Sequence, residues 1–323
     1  MRLSGILILI SFIYGACKQN PHKAGAENFL AGKSVTVLGT AGWVNDDRYV
    51  ISQPSNVITN NGYTYVFYVK EPVNSPMAGT GYGGTIQYAF SRDHGNTWSD
   101  QGLCIGTGLA GQFDAAGVCK PAVIKATEDG FFYLYYVGVG EGFTNADASS
   151  QNKTAIGIAK IIFNDNGIIR VSIKLNSGKP VLEASEPASG YFDAYRVDDP
   201  NPINLNGQIW LYYTGLDKWG GTPRMGLAVS ADINKSHVRQ NNNRALLDGS
   251  PTLIQKQDVG VIAIFSETQN AWFAPDGLRF IKLKQKFPSP VNYARGNVDT
   301  SSLSWGLYMP AEHGLGFNKW QIK

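Results

Sequence analysis

The residues of this 323-residue chain best placed to do chemistry are carboxylates near the ends of apolar, strand-like runs. Asp198 and Asp199 stand before Pro200 in Arg196-Val-Asp-Asp-Pro, and a proline restricts the residue before it, which fixes the direction of a carboxylate there. Asp114 closes Gly111-Gln-Phe-Asp ahead of another run. Glu267 ends a third run and Glu312-His313 follows a fourth, while Asp46 and Asp47 lie shortly before Gln53. Carboxyl groups in different environments can divide the roles of general acid and general base. Other chemistries are poorly supplied. The four His are scattered at 22, 94, 237 and 313, and Cys119 has no Cys-x-x-Cys partner, so no metal site and no cofactor is read from the sequence.

The composition says what must position these groups. Charged residues are only 16% and aromatics 12%, with 37 Gly and 15 Pro, which argues against long helices and against disorder. Many short strands joined by Gly-rich turns fit instead. A net charge of +3, without any basic run interleaved with aromatics, is no nucleic-acid footprint. A neutral, hydroxyl-rich partner suits this chain better. Trp43, Trp219, Tyr82 and Tyr191 are candidate stacking platforms for such a partner, and equally candidates for packing.

The first sixteen residues read as a leader. Arg2 supplies a positive start, Ile6 to Ile13 an apolar core too short to span a bilayer, and Gly15-Ala16 a small-residue cleavage site. Cys17 directly afterwards resembles the bacterial lipoprotein signal, in which that Cys carries the lipid. The expected division is a signal peptide over 1–16, a lipidated Cys17 and polar tether over 17–40, and one domain over 41–323. The expected location is the periplasm, outer membrane or cell surface, with the lipid as the only membrane contact. Cys104 and Cys119 then remain, either bridged or as two buried thiols.

One pattern recurs along the domain: a Pro, an apolar strand start, an Asn-Gly or Asp-Gly turn, then an aromatic strand. It begins at Pro54 with its turn at Asn61-Gly62, at Pro121 with Asp129-Gly130, and at Pro200 with Asn206-Gly207. Weaker echoes begin at Pro251 and Pro290, giving about 59 residues per unit. Such turns between apolar alternating runs signal hairpins. A second hairpin in each unit, as at Thr85–Trp98 and Arg224–Asp232, makes four strands. Five four-stranded sheets in a ring predict an all-β, five-bladed β-propeller. Ser91-x-Asp93-x-Gly95-x-Thr97-Trp98 matches the Asp-box turn, a structural device whose Asp and Ser satisfy turn backbone and whose Trp packs beneath.

Three stretches together resemble glycoside hydrolase family 117 and the related family 43. They are Gly84–Trp98 leading to Gly111-Gln-Phe-Asp114, Phe192-Asp-Ala-Tyr-Arg-Val-Asp-Asp-Pro200 with Trp210-Leu-Tyr-Tyr213, and Val259–Phe265 with Ala274–Phe280. The resemblance implies a five-bladed propeller enzyme that removes terminal sugars from red-algal galactans, exo-acting and inverting. Inversion needs a base that activates water on one face of the sugar and an acid that protonates the leaving oxygen on the other.

On this resemblance Asp199 matches the family's orienting carboxylate, with Asp198 beside it. Gln53 stands where the family has its general base, and Ser250 where it has a histidine acid; neither can take that role unchanged. Asp114, Glu267 and His313 are substitute catalytic candidates. Asp198, Arg196, Ser250, Trp43 and Trp219 are candidate sugar contacts. Two functions stay open: a glycosidase with a rebuilt acid–base pair, or a carbohydrate-binding lipoprotein that kept the funnel and lost the pair. An oligosaccharide or polysaccharide is the partner in both.

Overall fold

The computed structural model describes residues 30–43, 46–125, 131–143, 153–257, 260–265, 268–287, 292–298, 303–310 and 316–323. Five antiparallel sheets form the five blades of a propeller, and the described residues contain no α-helix. Blade one has a broken inner strand, Tyr49–Ser52 and Ile58–Asn60, followed outward by Tyr63–Pro72, Thr85–Ser91 and Ser99–Ile105. Blade two runs Gly117–Lys125, Phe132–Val139, Thr154–Phe163 and Ile169–Lys174. Blade three runs Arg196–Leu205, Gln208–Leu216, Arg224–Ser230 and Val238–Arg239. Blade four is shorter: Leu253–Lys256, Val261–Phe265, Asn270–Ala274 and Ile281–Lys282.

Blade five takes Asn292–Gly296, Trp305–Met309 and Asn318–Ile322 from the C-terminal end, and its outermost strand, Val35–Leu38, from the N-terminal end. Val35 pairs with Ile322 and Leu38 with Lys319, so the ring closes by hydrogen bonds between the two ends of the chain. This moves the expected boundary. Residues 35–38 belong to the propeller rather than to a tether ending at 40, and Leu30 is already buried among Phe287, Trp320 and Leu253. A four-residue edge strand gives little sequence signal, because it is too short to show a period and its one partner lies at the far end of the chain.

The strands are apolar because each sheet packs between two others. The middle strands of blades one and two are buried almost end to end, and Tyr65, Phe67, Tyr135 and Tyr136 are fully enclosed between blades. The Asp-box forms as expected. Asp93 accepts the Thr97 N–H at 2.8 Å and the Thr97 hydroxyl at 2.7 Å, Ser91 Oγ accepts the Gly95 N–H at 2.8 Å, and Trp98 is buried beneath. Cys104 and Cys119 are separate, buried free thiols.

Candidate axial site

Each inner strand begins at the same end of the molecule, and there the backbone breaks from regular pairing. Register shifts fall between Cys119 and Ala122, between Asp198 and Asn201, and between Asn292 and Arg295. At these corners Lys120, Asp199 and Tyr293 adopt left-handed backbone, with φ of 50°, 46° and 47°, and Gln53 does so in blade one at 51°. A side-chain-bearing residue rarely sits there, and such strain concentrates at functional sites. Three of the four precede a proline (Pro54, Pro121 and Pro200), and Ser250 stands before Pro251 in blade four.

The five corner residues meet across blade boundaries. Gln53 accepts the Lys120 N–H at 2.9 Å and donates its amide to Gly81 O at 2.8 Å. Lys120 Nζ lies 3.5 Å from Asp198 Oδ2 and 3.5 Å from Asp199 Oδ2. Ser250 donates to Asp199 Oδ2 at 3.3 Å and Tyr293 to Asp199 Oδ1 at 3.4 Å. The Gln53 N–H meets Met309 Sδ of blade five at 3.3 Å, closing the circuit. Among the described residues every side-chain partner of Asp199 is therefore a donor, and all five blades contribute to its surroundings or to those of its lysine.

A second layer holds the first. Tyr82 donates to Asp198 Oδ2 at 2.6 Å, and burial followed by the Asp198 charge pushes its phenol up. Burial also pushes the Asp198 carboxyl up, against the pull of Lys120. Burial acts to lower the Lys120 ammonium, but the two carboxylates outweigh it and hold the group above its ordinary value. Tyr293, pushed up to about 12 by burial, accepts from Arg295 at 3.1 Å, and Arg295 is fixed on Asn201 at 2.5 Å. Arg196 is stacked among Tyr82, Phe143, Tyr195 and Trp219 at 4.8–5.6 Å, and Trp219 is 45% exposed at the edge of this cage.

Of the residues singled out in the sequence, the structure brings Asp198, Asp199, Gln53, Ser250, Arg196 and Trp219 together. Tyr82 is close by but buried, so it orients Asp198 rather than offering a flat face. Asp114 has other company. It is fully buried and bonded to Tyr136 at 2.9 Å and Lys174 at 2.6 Å, sharing no partner with Asp199. Trp43 packs on Trp98, Tyr68 and Phe317 where blades one and five meet. Trp98 follows the Ser91 end of blade one, which pairs with Thr64, whereas Gln53 adjoins Ser52, which pairs with Val69 at the other end. Asp46 is committed to Arg48 at 2.8 Å, which holds its carboxyl at about 2. Glu267, His313 and Cys17 lie outside the described residues.

Two residues of the site, Lys120 and Tyr293, carry no obvious sequence mark, and neither does the buried Glu71. The repeat of a residue before Pro54, Pro121 and Pro200 would have pointed to Lys120. Glu71, at the end of the second strand of blade one, is buried with Oε1 unpartnered among the described residues, and burial pushes its carboxyl up. Gly83 leaves room for it, since a Cβ there would stand 2.2 Å from Oε1.

No family model matches the chain, and no curated protein does. Several of its solved structural neighbours are described as glycoside hydrolases. Zg3597, a family 117 glycoside hydrolase produced by the marine bacterium Zobellia galactanivorans, superposes with a TM-score of 0.70 at 19% identity over 92% of this chain and 91% of that one. A structure described only as a glycoside hydrolase gives 0.66 at 15%, covering 93% and 95%. BT0996, solved as an RGII complex, gives 0.65 at 14%, covering 94% of each protein. At these identities the likeness is one of fold, and the fold that this chain shares with these proteins is the five-bladed propeller.

Proposed function

We propose that this protein is a glycoside hydrolase that removes a terminal sugar from a complex polysaccharide. Asp199 is its principal functional carboxylate. The observation that carries this reading is Asp199 itself, held in left-handed backbone before a proline and met by donors from three other blades. A carboxylate surrounded by donors can orient sugar hydroxyls or accept a proton from water. Trp219 offers a half-exposed ring at the edge of the Arg196 cage. The fuller form of the reading is exo-acting cleavage with inversion, on an algal galactan as the family resemblance implies. Inversion calls for a second carboxyl roughly 6.5–9.5 Å away, and Glu267 and Glu312-His313 are the segments proposed to supply the acid.

A second reading, carbohydrate binding without turnover, is favoured by Gln53. Both ends of its amide are engaged, so it serves as a clip between blades where the related family is expected to hold its base. Reducing-end release from a panel of algal and plant glycans separates the two. Turnover of any panel member by the wild type excludes the binding-only reading. Binding by calorimetry without turnover, with trace turnover restored in the double variant Gln53→Asp/Ser250→His, contradicts the enzyme reading. We further propose export as a bacterial lipoprotein anchored through Cys17.

A further inference from the structure

A lateral recess opens at the same end of the propeller as the axial site, beside blade two. It encloses about 860 Å³, and Gln112, Phe113, Glu141, Ser177, Gly178 and Lys179 are among the residues lining it. The turn from Gly140 to Phe143 stands between the two places. Gly140 and Glu141 line the recess, while Phe143 packs on Tyr82 at 5.0 Å and against the Arg196 guanidinium at 4.9 Å.

Blades two and three carry the same clamp here but differ at two positions. In blade three Asp193 Oδ2 accepts from Tyr213 and Arg239, both at 2.8 Å, and Oδ1 accepts from Ser185 at 2.7 Å and Asn243 at 3.3 Å. In blade two Asp114 Oδ2 accepts from Tyr136 and Lys174, yet the buried Oδ1 has no donor among the described residues. Two glycines account for the difference. Gly108 gives its N–H to Asp114 O as Ser185 does to Asp193 O. Gly178 ends the left-handed run Asn176-Ser177-Gly178, which repeats the bonding of Asn241-Asn242-Asn243: Asn176 and Asn241 each donate three residues ahead at 3.3 Å. The side chains that close blade three are thus absent from blade two, and the recess lies along Gly178.

We propose that this recess is an accessory subsite for a sugar unit remote from the one held at the axial site. The inference rests on the glycan reading above. Donors (Gln112, Ser177, Lys179) and acceptors (Glu141, Glu183) line it together with the Phe113 ring, a mixture suited to a hydroxyl-rich, uncharged ligand.

Gly178→Asn tests this by copying blade three into blade two. Gly178 has φ of 72° and Asn243 has 55°, a region asparagine tolerates, and a Cβ at 178 meets only the flexible Gln112 Nε2 at 3.2 Å. The variant should therefore fold, with an unchanged or higher Tm. Calorimetry would compare disaccharides with hexasaccharides of the neoagaro, xylo and arabino series. For the series bound, the wild type should hold the hexasaccharide at least tenfold more tightly than the disaccharide. Gly178→Asn should erase that preference while leaving disaccharide affinity unchanged, and Lys179→Ala should reduce it. Equal affinity for both lengths in the wild type, or a preference surviving in folded Gly178→Asn, overturns the subsite while leaving the axial reading intact. A wild type that binds no sugar of either length overturns both.

Discussion

Lys120 and Asp199, on the inner strands of neighbouring blades, occupy the same left-handed corner before a proline and meet with Nζ 3.5 Å from Oδ2. Neither residue could be placed there by its own blade alone. Each corner turns one side chain out of the regular alternation of its strand, and the ring of blades brings those side chains together. The axial site is therefore a product of the repeat, with the residue type varied at one position per blade.

Gln53 is the corner residue whose replacement is most informative about packing. Gln53→Glu keeps an acceptor of the same reach for the Lys120 N–H but loses the donor to Gly81 O. Leaving this part-buried carbonyl unpaired costs about 1 kcal/mol, so the urea midpoint should fall with an unchanged m-value. An unchanged midpoint would show that the Gln53–Gly81 contact holds nothing together.

Asp193 should act as a positioning residue for blade three. It clamps Tyr213, Arg239, Ser185 and Asn243 just before the strand that carries Arg196 and Asp199. Asp193→Ala strands the partly buried Arg239 and should cost about 3–5 kcal/mol. Asp193→Asn keeps the shape and should lose less. If the two variants denature at the same midpoint as the wild type, the clamp is not a stabilising element.

His237 gives the fold an acid sensitivity. It lies between blades two and three, its N–H on Val181 O and its Nε2 3.1 Å from Tyr135 OH, and burial lowers its pKa from 6.5 to about 4. The neutral ring is the folded form. Its stabilising contribution is complete above about pH 6.5 and is lost as pH falls through about 4, on the order of 3 kcal/mol in all. Denaturant unfolding of wild type and His237→Gln between pH 7 and 4 should show a shallower acid slope in the variant. Parallel curves would remove His237 from the account.

Much of the fold is legible in the sequence because hairpin turns and aromatic strands are local signals. Asn61-Gly62 and Asn206-Gly207 mark tight turns wherever they occur, and the Asp-box names its own hydrogen bonds. Val35–Leu38 is silent because its partner lies at the far end of the chain. Asp199 is legible through its Asp-Asp-Pro setting. Lys120 is not, since a lysine in an apolar strand looks like a chance surface residue until a neighbouring blade supplies its two carboxylates. Asp114 and Asp193 share a Phe-Asp pair, Phe113-Asp114 and Phe192-Asp193, and that repeat was the available sign that Asp114 belongs to a clamp.

The leader reading turns on Cys17. Cys17→Ser should move the protein from the membrane fraction to the soluble periplasmic or secreted fraction of a bacterial host. Unchanged fractionation would leave Cys17 without a lipid.

Asp199 is proposed to act on a bound sugar, and Asp199→Asn isolates that role because the substitution keeps shape and hydrogen-bonding size while removing the charge. The measurement is reducing-end release from the glycan that the wild type turns over, with thermal unfolding of both proteins as the control for folding. A general acid or base contributes about 10²–10⁴-fold, so the expected result is a fall in kcat of at least a hundredfold with the Tm kept within a few degrees. An Asp199→Asn protein that releases the same sugar at the wild-type rate would contradict the account.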